Sequence, residues 1–394
     1  MKELTGNNIR RMALFIGLFF FSKIAKAQEN TPADTVTQAN KLSKFISNAM
    51  DIFTGEKGRL TYGLFPVMDY EEYKGFEIGI MPVFQIRPAD TTGMGEFFRP
   101  TTILPEISYS TKGHISVELD FISFTKNKWN IQSRLSYYRL EDVFYGPELP
   151  SGEDNISPMT TDRVYFIGEV SKNIGQKYFV GFKYDLTYAH NYDVLGEALT
   201  PDTPGYGENM LVGVGPLIKI DNRNNTVYPS KGGLHSISYT YFSDVYGSDF
   251  TYGLFNADFR QYFSINKDKS VLAIQTATNI STGGDIPFFK LPGIAGSRML
   301  RGFAEPTKYV GRNTFLSQAE FRQHIWWRFG STAFAGFGNT SEDLDKTLFR
   351  GMEYVYGFGG RFQILPNDKV NFRVDMGYGP SGKSTMFFSV TEAF

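Results

Sequence analysis

The chain has 394 residues, of which 41% are hydrophobic and 21% charged, and its 40 Lys and Arg against 41 Asp and Glu leave a net charge of −1. That balance supplies no basic field for nucleic acid, and the absence of cysteine excludes a disulfide scaffold, a thiolate zinc site and a cysteine nucleophile. An aromatic content of 16% together with 40 glycines points to β structure.

The first 27 residues read as a secretory signal peptide: Arg10 and Arg11 precede an apolar run from Met12 to Phe21, and Ala25-Lys26-Ala27 supplies the small-x-small cleavage pattern near Ala27. The run is too short for a spanning helix, which needs about 20 apolar residues. Residues 28–57 form a predicted periplasmic segment, polar at first. Within it Leu42, Phe45, Ile46, Ala49 and Phe53 recur at helical spacing, predicting a short amphipathic helix over 41–53.

From residue 58 to 394 the pattern is alternation. In Val370 to Tyr378 one face is Val370, Phe372, Val374, Met376 and Tyr378, and the other is Asn371, Arg373, Asp375 and Gly377. Strand after strand sets an aromatic-rich face against a charged or glycine face, as lipid outside and water inside require. Strands are expected near 59–68, 74–87, 100–110, 114–125, 129–139, 162–172, 177–190, 208–220, 234–246, 251–264, 270–279, 312–324, 328–338, 353–364, 369–378 and 385–394. The count of sixteen is even. With both ends in the periplasm, the long segments 140–161, 191–207, 280–311 and 339–352 fall outside, and short turns such as Lys126-Asn127-Lys128 fall inside. The connections 88–99 and 221–233 are inner and long, against that rule. The Trp326-Trp327 pair at an inner turn suits an interfacial aromatic girdle. Pro66 and Gly63 make the first strand a poorly paired edge. Phe388, Val390 and Phe394 are expected on one face of a last strand that ends in an aromatic assembly signal. The fold expected is therefore an all-β, 16-stranded antiparallel transmembrane β-barrel.

One stretch is more specific. FFKLPGIAGSRMLRGF at 288–303 resembles the loop-six signature of the bacterial surface antigen family, the BamA/TamA superfamily of outer-membrane assembly barrels. DNRNNTVYPSKGG at 221–233 is similar to that family's turn between strands eight and nine, with Asp221, Arg223, Pro229 and Gly232 at the motif positions. AEFR at 319–322 and GFGGRFQILPNDKVNFRVDMGYG at 357–379 resemble its later strands. The resemblance is strongest over 208–394. It implies an outer-membrane barrel whose loop six, tipped by Arg301, Gly302 and Phe303, folds back into the lumen. Two departures stand out. Gly336 occupies the place where the family pattern carries an aspartate, implying a poorer contact with the loop, and the residues between Gln28 and Arg59 are too few for a periplasmic POTRA module.

A buried guanidinium needs partners. By alternation Gln318, Glu320 and Arg322 face inward, so Glu320 is the expected partner of Arg301, with Arg361, Arg373 and Asp375 on neighbouring strands. The outcome is either a polar latch for loop six or charges lining a wet channel. The four histidines are scattered and acidic pairs such as Glu153-Asp154 lack an ordered ligand loop, so no metal, cofactor or catalytic residue is expected. The implied function is assistance in insertion or export of outer-membrane proteins or envelope components, with the lipid bilayer and periplasmic or outer-membrane proteins as partners. A passive porin-like channel and a scaffold subunit of a larger complex are the alternatives.

Overall fold

The computed structural model describes residues 54–71, 74–88, 100–146, 156–175, 177–266, 269–303, 306–344, 351–365 and 369–394. The chain divides into a unit of residues 1–55 and a unit of residues 56–394. The predicted signal peptide and the predicted helix over 41–53 lie outside the described residues.

Seventeen strands are present among those residues: β1 (Thr54–Lys57), β2 (Leu60–Glu71), β3 (Gly75–Ile86), β4 (Thr101–Ser110), β5 (Ile115–Phe124), β6 (Trp129–Phe144), β7 (Ser157–Gly175), β8 (Tyr178–Tyr192), β9 (Glu208–Asp221), β10 (Gly232–Phe242), β11 (Tyr252–Ile265), β12 (Ser270–Gly283), β13 (Asn313–Trp326), β14 (Phe329–Ser341), β15 (Glu353–Leu365), β16 (Val370–Tyr378) and β17 (Ser384–Val390). The sixteen from β2 onward correspond to the sixteen expected. β1 is additional: four residues are too few to show an alternation. Each strand from β2 to β16 pairs antiparallel with the next in chain order, so every neighbour is reached by a local connection. Among the described residues β17 meets β2 at one residue pair, Met386 opposite Tyr70, whereas β16 and β17 share seven, from Phe372–Val390 to Tyr378–Ser384.

The faces separate as the alternation requires. Outward positions stay exposed although apolar, as at Ile78 (58%), Ile218 (60%) and Tyr354 (67%). Inward positions are buried although charged: Arg301, Arg322 and Arg373 are among the largest fully buried side chains. A water-soluble sandwich has the reverse arrangement. The inward faces of β3 to β6, with parts of β9 to β11 and β17, line a cavity of about 950 Å3. Several turns are tight enough to hold non-glycine residues in the left-handed region, at Lys128 (φ 63°), Trp327 (φ 50°) and Lys369 (φ 55°), a conformation that costs each residue roughly 1–2 kcal/mol.

One expectation fails at the last strand. β17 stops at Val390, and Thr391 takes a φ of 75°, which turns residues 391–394 off the strand. Phe394 is buried with Ala393 against Tyr262 and Ala273 and does not share an outward face with Phe388 and Val390. The physical reason lies at Glu392. Continuing the strand would place that carboxylate on the apolar face, whereas turning inward gives it cationic partners.

Candidate functional site

The site forms where the connection between β12 and β13, residues 284–312, lies against the inward faces of β13 to β16. β13 alternates Phe315, Ala319 and Phe321 outward with Gln318, Glu320 and Arg322 inward. The three inward side chains are buried. Arg361 of β15 and Arg373 and Asp375 of β16 are buried on the same side, placed by the pairing of Arg361 with Arg373 across the two strands.

Arg301 sits at the centre. Its Nη1 donates to Asp375 Oδ2 at 2.6 Å, and its Nη2 lies 2.5 Å from Glu320 Oε2, an ion pair whose angles fall outside hydrogen-bond geometry. The guanidinium carbon stands 3.8 Å above the Phe334 ring, so the face without acceptors meets π density. Asp375 also accepts from Arg361 at Oδ1 and from Arg373 at Oδ2, both at 2.6 Å. Glu320 accepts from Arg322 Nε at 2.6 Å.

The sequence-derived residues are thus brought together, and one member was missed. Glu392 accepts from Arg361 Nε at 2.8 Å and from Asn371 Nδ2 at 2.7 Å. Four guanidiniums face three carboxylates, and main-chain oxygens take much of the remaining donor capacity. Arg322 donates to the main-chain oxygens of Pro229 (3.2 Å) and Phe394 (2.9 Å), and Arg373 donates to that of Ser297 at 2.7 Å. This matters because each buried donor left without an acceptor carries a desolvation penalty of about 1–3 kcal/mol. Alternation located every strand member but gave no sign of these oxygens. Glu392 did leave a signal: it falls on the same face as Val390 and Phe394, where a charge contradicts a lipid contact.

The β9–β10 connection supplies one of those oxygens through its own order. Arg223 grips Asp221 with two parallel bonds of 2.9 and 2.8 Å. Burial works against the Arg223 charge, yet this fork outweighs it and raises the guanidinium above its ordinary pKa. Asn224 Oδ1 accepts from the main-chain N–H groups of Ser230 and Lys231. Gly232 has φ 87°, and a Cβ there would lie 2.1 Å from Asn222 O, so only glycine closes the turn that aims Pro229 O at Arg322.

At Gly336, where the resemblance implied a poorer contact with the loop, Leu300 packs close to the strand. A Cβ on Gly336 would lie 2.6 Å from Leu300 Cδ2, and one on Gly338 would lie 2.9 Å from Leu300 Cδ1. The two glycines form a slot that Leu300 fills, beside Ile294, Phe303, Leu316 and Val355. Contact with the 284–312 segment is apolar at Leu300, where an aspartate was expected to face the loop, and polar at the next residue, Arg301. The same segment is anchored across the cavity, where Lys290 Nζ pairs with Asp185 at 2.7 Å and Phe288 packs on Phe144 with ring centroids 5.0 Å apart.

Removing the Glu392 carboxylate should uncouple the tail. Glu392→Ala leaves Arg361 short of an acceptor, a loss of about 3–5 kcal/mol for a broken buried pair. It is expected to lower the midpoint of the heat-induced mobility shift on gels; an unchanged midpoint would show that residues 391–394 bear no load.

Comparison with known proteins agrees with this geometry. The Omp85 superfamily domain matches residues 99–380. No curated protein matches the sequence. Among solved structures, BamA from Haemophilus ducreyi lacking POTRA domains 1-3 is similar with a TM-score of 0.55 at 15% identity, over 85% of this chain and 70% of that one. CdiB from Acinetobacter baumannii is similar with a TM-score of 0.54 at 12% identity, over 85% of this chain; the match spans 60% of CdiB, less than two thirds of its length. At these identities the likeness is one of fold.

Proposed function

Since the chain belongs to the Omp85 superfamily, we propose that it works as an outer-membrane β-barrel that assists insertion or export of proteins or envelope components together with separate partners. Strands β2 to β17 form the sixteen-stranded wall, residues 1–27 are removed on export, residues 28–57 supply a periplasmic segment, and residues 284–312 are the reinserted loop six. The single observation that carries the reading is the contrast between an ion network that fixes the loop and a seam that is barely paired. Among the described residues β17 and β2 share one residue pair. At that seam the cavity is lined by residues from both faces, with inward Val67 next to outward Pro66 and with Phe388 beside it. A seam of this kind can part and offer β17 or β2 as an edge for a client strand, because unpaired strand edges template pairing.

The mechanism follows from the parts in hand. The latch holds β13 to β16 rigid, so strain from a client falls on β17–β2. The tail, gripped by Arg322 and Arg361, limits how far β17 can swing. None of this requires catalysis, and the role is non-enzymatic. A second reading, a passive channel, is favoured by the charged cavity of about 950 Å3 along β3 to β6.

The membrane reading predicts resistance to carbonate extraction and faster gel migration when unheated, because a closed barrel satisfies its backbone internally. Recovery of the mature protein in the soluble periplasmic fraction would refute it. Affinity purification in mild detergent then separates the roles. Co-purifying periplasmic or barrel proteins support assembly or a scaffold, and a solitary barrel conducting steadily in a planar bilayer supports the channel.

A further inference from the structure

The connections that follow the odd-numbered strands β3 to β15 all lie at one end of the antiparallel sheet. In sequence these connections hold 11 Lys and Arg, among them Lys126, Lys128, Lys177, Lys269, Arg328 and Lys369, against 4 Asp and Glu. The connections at the opposite end hold 10 Lys and Arg against 14 Asp and Glu, Asp193, Glu197, Asp202 and Asp244 among them. The two rims of the wall therefore differ in charge.

The basic rim is also the aromatic one. The sequence has three tryptophans, and all of them sit here: Trp129 at the start of β6, Trp326 at the end of β13, and Trp327 in the turn that follows. Trp326, Trp327, Phe329 and Phe362 form one cluster, with successive ring centroids 5.2 to 6.1 Å apart. Cations lie over these rings. Lys172 Nζ is 5.2 Å from the Trp129 centroid, Lys177 Nζ is 5.5 Å from that of Tyr178, and Arg328 Cζ is 5.3 Å from that of Trp327. Trp129, Tyr178 and Trp326 remain exposed on the outward side. Amphipathic rings of this kind settle at headgroup depth, which puts the basic groups just beyond the hydrocarbon, in the plane of lipid phosphates.

We propose that this rim is a docking surface for anionic phospholipid headgroups, which recruits an annulus of negatively charged lipid around one end of the wall. The inference rests on the membrane-spanning reading above. Each Lys or Arg near an anionic surface contributes on the order of 1 kcal/mol, screened by salt. Aromatic rings beside Lys172, Lys177 and Arg328 hold these cations at that depth. A zwitterionic lipid offers the same phosphate but cancels it with its own ammonium, so selectivity for net negative charge is the signature.

Tryptophan fluorescence reports on this rim alone, which allows a direct test. The full chain is reconstituted in vesicles of equal phosphatidylglycerol and phosphatidylcholine, with bromine on the acyl chains of one lipid or the other. Brominated phosphatidylglycerol is expected to quench more strongly, corresponding to an enrichment of about threefold at low salt that declines as salt is raised. Combined replacement of Lys126, Lys128 and Lys177 by serine and Arg328 by glutamine should bring the ratio to about one. If that variant does not fold, judged by heat-dependent gel mobility, the salt titration of the unaltered protein decides. Equal quenching by both brominated lipids, or selectivity that survives salt or the substitutions, would overturn the proposal. Absence of quenching by either lipid would overturn the membrane reading, and this inference with it.

Discussion

Replacing Arg301 by alanine should weaken the barrel's resistance to heat or urea by about 3–5 kcal/mol, the usual effect of removing one partner from a buried charge pair. Arg301 is fully buried between Glu320 and Asp375, so its loss leaves two carboxylates with less compensation. Residues 288–303 should become open to protease, and steady conductance should rise. The network view makes a stricter demand. Glu320→Ala leaves Arg301, Arg322 and Arg361 facing a smaller negative charge, and combining it with Arg301→Ala should cost less than the sum of the two. Coupled neighbours show interaction energies of about 0.5–3 kcal/mol; additivity within error would mean that these groups line the lumen without latching the loop.

Gly377→Ala tests the same contact without touching a charge. A Cβ on Gly377 would lie 1.5 Å from Arg301 O and 2.5 Å from Arg301 C. Both are main-chain atoms, so no side-chain rotation relieves the overlap. The loop must withdraw by roughly 2 Å to reach van der Waals distance, which breaks the Arg301 bonds to Asp375 and Glu320. The single methyl is expected to reproduce most of the protease sensitivity of Arg301→Ala and to add little to it in the double variant. Gly360→Ala on the adjacent β15 is the control, because a Cβ there meets nothing within 4 Å. If Gly377→Ala left the loop as protected as Gly360→Ala does, tight packing of the loop on β16 would be refuted.

Period-two alternation made nearly all of the wall readable, because one residue of register moves every side chain to the wrong medium. The inward placement of Glu320, Arg322, Arg361, Arg373 and Asp375 followed from that rule alone. The rule fails where the chain leaves the pleat. Thr391 to Phe394 continue the last strand in sequence, yet one residue at positive φ sends Glu392 to Arg361. Gly336 was readable as a missing aspartate but not as a slot, since the side chain that fills it, Leu300, belongs to a connection without periodicity. The main-chain oxygens of Ser297, Pro229 and Phe394 were unreadable for a related reason: main-chain acceptors are present at every residue, and only tertiary geometry selects among them.

Arg322 also bears on the order in which the chain acquires its structure. Its guanidinium binds main-chain oxygens 93 residues before it and 72 residues after it. Contacts so far apart in sequence form late, since the intervening loop entropy must be overcome first. Glu320 and Pro229 take Nε and Nη1 of Arg322, but Nη2 has its acceptor only once Phe394 has docked. Docking of residues 391–394 on Arg322 is therefore expected among the last steps of folding. Without that docking one buried donor of Arg322 stays unmatched, at a desolvation penalty of about 1–3 kcal/mol.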